Sequence, residues 1–500
     1  MKKMLKPITA MITLCTLLGT FVGCSAKDKE ESLDSISIVA PLNSIDEPEK
    51  NSEILSKLEE LTEMKVDIKW IPKGNYKAKS TAMIASGECP DILVVEDITE
   101  DIVKGVDQGG FWQVDDYITG YENLSNGDKA IQNNASFKGK TYGIYRYKDM
   151  VDNSMIFRKD WLDKLGLKEP QNIDEFTEIL RRFRDSDPDE NGIKDTYGLG
   201  IAGADEGKFN DIFNQIAAWF GAPNGWKVKD DKLVPAFTTE EYKKALDYMR
   251  KIYDEGYIDP KCYLKNNSDV EDNFFNNKYG VIFEKLSKAV DLEKSIKEKN
   301  PNSETDKLIT TISSIKVNEN SKVFGGKGYS GMLMFPKKGI KSEEKLRKVL
   351  GFVDKLNSKE CYTLLNYGIL GENYTIENGE YKSLQNSTTY DLLSFSELSI
   401  NWNKESLSTN EKSNFRKNLS KVQDLKEDNI IENPVLNLKT EGYINNEQSV
   451  LSDLESINAK YIFGELDKSQ YESALREWLE NEGDSYIEKV NKLYEEYLYK

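Results

Sequence analysis

The sequence predicts an α/β fold built on parallel sheets, and three observations predict it. Strand patterns alternate with amphipathic helix patterns from residue 36 onward, the order that gives parallel strands covered by helices. The helix patterns open on capping residues, and some close at glycine. After the first two dozen residues, no stretch approaches the roughly twenty apolar residues needed to span a bilayer. At 500 residues the chain can form two or more domains with sizeable cores.

The elements follow in order. Ile36-Ser37-Ile38-Val39 reads as a strand, and Asn51 or Ser52 caps a helix carrying Ile54, Leu55, Leu58 and Leu61. Val66 to Trp70 alternates with period two, a helix pattern ends near Gly87, and Asp91 to Val95 is an apolar run suited to a buried strand. Asn172 with Glu175 opens a helix through Phe176, Ile179, Leu180 and Phe183. Thr238-Thr239-Glu240-Glu241 opens another through Tyr242, Leu246, Met249 and Tyr253, with Gly256 as its stop. Ser342 leads a helix with Leu346, Val349, Leu350 and Val353 on one face, and the last helices carry Leu475, Trp478, Ile487, Val490 and Tyr494.

The N-terminus has a different character. Basic Met1-Lys2-Lys3, an apolar or small stretch from Ile8 to Gly19, and Phe21-Val22-Gly23-Cys24 ahead of a charged run form a secretory signal. A Cys directly after Gly23 resembles the lipobox of bacterial lipoproteins, which implies diacylation of Cys24 after removal of residues 1–23. Two acyl chains suffice for stable anchoring. Residues 24–35 then read as a flexible tether.

Composition excludes some chemistry. The net charge of −18 repels phosphate backbones, so nucleic acid is not an expected partner. The chain has no histidine, which removes Ser-His-Asp and Cys-His catalysis and histidine-ligated zinc. Of five cysteines, Cys15 leaves with the leader and Cys24 is the anchor. Cys89, Cys262 and Cys361 are widely spaced and read as buried thiols.

One loop has the spacing of a cation site. Asp187, Asp189 and Asn191 occupy positions 1, 3 and 5 of an EF-hand-like loop, with Gly192 at the sharp turn. Ile193 would give its carbonyl and Asp195 its carboxylate. The bidentate glutamate of position 12 is replaced by Gly198. The expectation is a structural Ca2+; the bland reading is a polar turn between helix and strand.

Several phrases together resemble the family 1 bacterial extracellular solute-binding proteins, and within them the large lipoproteins that serve carbohydrate ABC importers. They are Cys89-Pro90-Asp91-Ile92, Gly109 to Ile118, Phe137 to Ile144, Phe157 to Leu167, Asp187 to Gly198, and Leu365 to Tyr374. The resemblance implies a two-lobed Venus-flytrap fold with discontinuous lobes and a hinge. Residues 36–150 and 330–375 would form one lobe, and 151–329 and 376–500 the other. It implies an oligosaccharide ligand, ABC permease subunits as partners, a membrane attachment through the N-terminal lipid on the extracellular face, and a monomer without catalytic activity.

Sugar recognition needs flat apolar faces and planar polar groups. The aromatic candidates in loop-like contexts are Trp70, Tyr145, Tyr147, Trp219, Trp226, Tyr329 and Trp402, each of which can equally be a core residue. Glu96, Asp97 and Arg146 sit at strand ends, where ligands of open α/β sheets bind. Trp112 and Trp161 read as packing residues. Two other classes stay open: a peptide- or other solute-binding lipoprotein, and a surface glycoside hydrolase or lyase using two of the 86 acidic residues.

Overall fold

The computed structural model describes residues 33–204, 206–304, 307–377, 380–384, 387–402, 422, 425, 427–440 and 443–498. The leader and Cys24 lie outside the described residues. The chain forms two α/β lobes, each around its own sheet.

The first sheet has the order Lys65–Pro72, Ser35–Leu42, Ile92–Val95, Tyr329–Met334, Gly143–Tyr147. Its first three strands run parallel, and Tyr329–Met334 is antiparallel to both neighbours. Side chains alternate between two cores because strand periodicity is two. Ile36, Ile38, Ala40, Ile92 and Val94 face one core, and Val39, Leu93 and Val95 the other. Burial on both faces is why Ile92 to Val95 is uninterrupted apolar sequence.

The second sheet has the order Ile309–Ile312, Asn153–Arg158, Tyr279–Lys285, Tyr197–Leu199. Met155, Phe157 and Val281 point into a core with the helices Ile173–Asp185, Glu206–Trp219 and Glu240–Asp254, while Ile156 and Ile282 point to the opposite face. The anticipated caps form. Asn172 Oδ1 accepts from Glu175 N at 3.0 Å, Thr239 Oγ1 from Tyr242 N at 3.4 Å, and Ser342 Oγ from Lys345 N at 3.2 Å. Gly87 and Gly256 end their helices in the left-handed region.

The C-terminal third departs from the expected boundary. Residues 387–400 were placed in the second lobe on sequence, yet Leu392, Phe395, Leu398 and Ile400 are buried in the first core. The reason is apolar matching: Phe395 packs edge-on against Trp70 at 5.5 Å. The chain therefore stays with the first lobe beyond Tyr374, through Trp402. Beyond residue 440, Tyr443–Ile462, Lys468–Trp478 and Asp484–Leu498 pack as helices on the second lobe, through Ile462 and Tyr471 in its core and Val490 against Trp226.

Candidate functional site

The lobes are joined by chain segments that run side by side. Tyr147 N donates to Ile400 O at 2.8 Å, Lys148 N to Gly328 O at 3.0 Å, Gly326 N to Met150 O at 2.7 Å, and Gly325 N to Ile431 O at 3.0 Å. Val323–Phe324 pairs in parallel with Ile430–Ile431. A bulge between Tyr329 and Met332 marks where the second crossing enters the first sheet. Gly331 is required there, since its φ is +96° and a Cβ would lie 2.2 Å from Val95 O.

On the first lobe, the ends of the strands carry a polar network. Glu397 brings its Oε1 within 2.5 Å of Asn43 Nδ2 and its Oε2 within 2.6 Å of an Arg146 guanidinium nitrogen. The Arg146 contact has the distance of an ion pair but not the alignment of a hydrogen bond, and Arg146 Nε is buried without a partner. Arg146 also donates to Ser330 O at 3.3 Å. Ser394 Oγ accepts from Asn43 N and Ser44 N, both at 3.0 Å. Nearby, Glu96 pairs with Lys73 and Asp97 with Lys327, each at 3.3 Å. Burial, reinforced by the Glu96 and Glu397 charges, pushes the Tyr76 hydroxyl far above its usual titration range.

On the second lobe, a pocket of about 190 Å3 opens between the crossings. Its floor is Met150 to Asn153 and Phe324 to Gly326, and its wall is the helix Glu206–Trp219 with Asn224 and Phe283. Asn224 Nδ2 holds Gly325 O at 2.9 Å and Ile431 O at 3.0 Å, so it ties the wall to two crossings.

The aromatic candidates separate by burial. Trp219 is wholly buried, with Nε1 bonded to Ser313 O at 3.1 Å, because it occupies the last turn of a helix and not a loop. Trp70 and Trp226 are also core residues, against Phe395 and Tyr486 respectively. Tyr329 is buried, and Tyr145 is buried under Trp402 at 4.5 Å, with Trp402 Nε1 donating to Tyr145 O at 2.9 Å. None of these five offers an open ring face. Tyr147 and Trp402 are half-buried, and Tyr147 donates to Asp149 at 3.0 Å. The structure brings Glu96, Asp97, Arg146 and Tyr147 to the lobe junction. Asn43, Glu397 and the pocket wall were not found on sequence.

The loop after the helix Ile173–Asp185 carries the cation-site spacing. Asp187 Oδ1 and Asp189 Oδ1 are buried without hydrogen-bond partners. Burial and the adjacent Asp187 carboxylate hold the Asp189 carboxyl above its usual range. Asp187 Oδ2 accepts from Gly192 N at 3.0 Å, which fixes the turn. Asn191 Nδ2 lies 2.8 Å from Asp189 Oδ2 and 3.3 Å from Asp195 Oδ1, and Lys278 pairs with Asp195, holding that carboxyl below its usual range. Ile193 has an exposed side chain and accepts Asp195 N on its carbonyl at 3.1 Å. Two adjacent orphaned carboxylate oxygens fit a hard cation. Among the described residues, however, no three acidic, cysteine or histidine side chains gather around one point.

The chain is 32% identical to lipoprotein LipO of Bacillus subtilis over 505 residues, covering 99% of this chain and 98% of that one. It is 28% identical to the polygalacturonan/rhamnogalacturonan-binding protein YtcQ of the same organism, covering 98% of each. Its fold is similar to an extracellular solute-binding protein of Bifidobacterium longum subsp. infantis, with TM-score 0.69 and 16% identity over 92% of this chain and 98% of that chain. It is also similar to an EF-hand mutant of the Streptococcus pneumoniae ABC-transporter substrate-binding protein FusA in complex with fructo-nystose. That match has TM-score 0.62 and 16% identity over 93% and 99% of the chains. Residues 47–360 match the family profile, and the chain is a bacterial extracellular solute-binding protein.

Proposed function

We propose that the protein captures an oligosaccharide between its lobes and presents it unchanged to the permease subunits of an ABC importer. The observation that carries this reading is the pocket lined jointly by the crossings and by the second lobe. Ligand contacts made by both lobes favour whichever lobe arrangement brings them together, by the differential affinity of the ligand for that arrangement. The names of YtcQ and FusA support a saccharide over a peptide. Cys24 serves as the diacylated N-terminus that keeps the mature protein on the extracellular face of the membrane. The Asp187–Asp195 loop holds a structural Ca2+ through Asp187 and Asp189, with Asn191 after an amide rotation. The site binds without turnover, as a monomer.

Titration calorimetry with an oligosaccharide panel, followed by chromatography of the recovered ligand, tests the reading. Micromolar or tighter binding with intact ligand is expected. A shortened ligand would establish a hydrolase or lyase, and binding confined to peptides would establish the other class. Separately, Cys24→Ala should release the protein from membranes or leave it unprocessed; a processed, membrane-bound variant would place the anchor elsewhere.

A further inference from the structure

Among the described side chains, two aromatic residues are exposed, Tyr263 at 50% and Tyr390 at 53%; every other described ring is buried or half-buried. Both stand at the sheet edge from which the crossings leave, one on each lobe. On the second lobe, Asn153, the first strand residue after a crossing, pairs with Lys285 at the end of Tyr279–Lys285, and Tyr197–Leu199 runs parallel to that strand. The chain after Leu199 therefore heads for the crossing edge, and the turn Cys262–Leu264 lies beside it. Gly203 N donates to Cys262 O and Ala204 N to Lys265 O, both at 3.0 Å, and a Cβ on Gly203 would come 2.9 Å from the Tyr263 Cα. Cys262 is wholly buried, and Asp259 Oδ2 accepts from the Tyr279 hydroxyl at 2.8 Å. The turn is thus fixed at its base while Tyr263 and Leu264 are left to solvent.

On the first lobe, Ser35–Leu42 runs in the same direction as Gly143–Tyr147, since Ile92–Val95 is parallel to the former and Tyr329–Met334 is antiparallel to both Ile92–Val95 and the latter. Asn43 therefore follows its strand at the edge where Tyr147 enters the first crossing. Ser394 of the helix Ser387–Phe395 bonds to Asn43 and Ser44 there, and Asn43 Nδ2 donates to Leu393 O at 3.4 Å. Tyr390 is four residues before Ser394, which puts it on the same face of that helix one turn away.

We propose that Tyr263 and Tyr390 are ring-stacking contacts for the ligand, one contributed by each lobe; the inference rests on the saccharide reading above. A tyrosine offers an apolar face with a wet hydroxyl, and with two side-chain torsions it loses little freedom when covered. The C–H side of a sugar ring covers that face while its hydroxyls stay hydrated or reach the strand-end polar groups. Anchored bases at both positions keep the ordering cost low. Because the two rings belong to different lobes, a ligand stacked on both favours the arrangement that brings them together.

Native mass spectrometry of the full mature protein with an equimolar mixture of xylo-, arabino-, galacto-, fructo- and manno-oligosaccharides and oligogalacturonides first selects a binding sugar, and titration calorimetry with that sugar then compares variants. Tyr263→Ala and Tyr390→Ala should each weaken binding about tenfold, with the Phe variants within about threefold of the wild type. Neither exposed position should change the melting temperature. An alanine variant at either position that binds like the wild type overturns the assignment and leaves the saccharide reading standing. A Phe variant as weak as the Ala variant also overturns it, because the contact is then made by the hydroxyl and not by the ring. No binding of any sugar by the wild type removes both.

Discussion

The two lobes each bury apolar side chains of their distant C-terminal segments, and the first adds a polar network at its strand ends. At the first lobe, the segment ending at Trp402 is fastened at its cleft edge by polar contacts, from Ser394 to the Asn43 and Ser44 amides and from Glu397 to Asn43 and Arg146. At the second lobe, the last helices are fastened by apolar clusters, Trp226, Leu233, Tyr486 and Val490 in one and Phe237, Leu454 and Trp478 in another, with side-chain bonds between Asn491 and the Leu233 backbone and from Arg250 to Tyr461 O beside them. The difference follows location. On the proposed reading, the strand-end surface that meets a hydrated ligand keeps polar groups within reach, while the clusters around Trp226 and Trp478 are built on buried aromatic and aliphatic side chains.

That contrast can be broken first on the apolar side. Trp478 is buried against Phe237 at 5.3 Å, and Trp478→Ala should lower stability by about 3–5 kcal/mol through the cavity left behind. Urea unfolding measures the loss, and ligand affinity of the folded fraction should not change. On the polar side, Glu397→Ala should cost about 3 kcal/mol, because it leaves the buried Arg146 uncompensated. This variant should also weaken ligand binding, which Trp478→Ala does not. Equal effects of the two on affinity would erase the distinction.

Between these regions, residues 435–439 touch both. Val435 and Leu438 sit in the apolar cluster of the second lobe, while the Lys439 ammonium bonds to Asn134 O at 2.5 Å and Ser136 O at 2.8 Å on the first. The rings of Phe137 and Tyr329 lie 5.6 and 5.9 Å from it. Burial, with a smaller contribution from Lys327, lowers the Lys439 pKa from 10.5 to about 7. Between those values the unfolded chain binds the proton and the folded chain does not, so this group makes stability rise with pH across that window. Below pH 7 its contribution is at its least favourable. Lys439→Met should flatten that part of the stability profile relative to the wild type, in melts run from pH 6 to pH 10. Parallel profiles would show that Lys439 does not titrate there.

The smallest expected effect is in the cation loop, far from either attachment. Chelation should lower the stability of the wild type on the order of 1 kcal/mol at calcium about tenfold above the dissociation constant. Asp187→Ala with Asp189→Ala should abolish the response. A wild-type melting curve indifferent to both chelator and calcium would leave the loop a polar turn.

These regions also differ in how legible they are in sequence. The strands of the first sheet and the capped helices of both lobes can be read because their signals are local: alternation at 36–39 and 66–70, and polar starts at Asn172, Thr238-Thr239 and Ser342. Trp219 misleads because Gly221-Ala222-Pro223 signals a loop while the tryptophan itself closes a buried helical turn. Glu397 and Asn43 cannot be paired from sequence, since 354 positions separate them and neither lies in a periodic pattern. The pocket wall is similarly silent. Asp211, Asn214 and Asn224 become neighbours of Asp152 only after the crossings bring two elements together, although the polar Lys148-Asp149 and Asp152-Asn153 pairs of the first crossing were a visible hint.

The central claim, capture without turnover by two lobes that meet on the ligand, is tested most directly by small-angle scattering of the mature protein with and without a bound oligosaccharide. Closure on the ligand gives a smaller radius of gyration in the complex, and the ligand is recovered intact. Tight binding with an unchanged radius of gyration would contradict it.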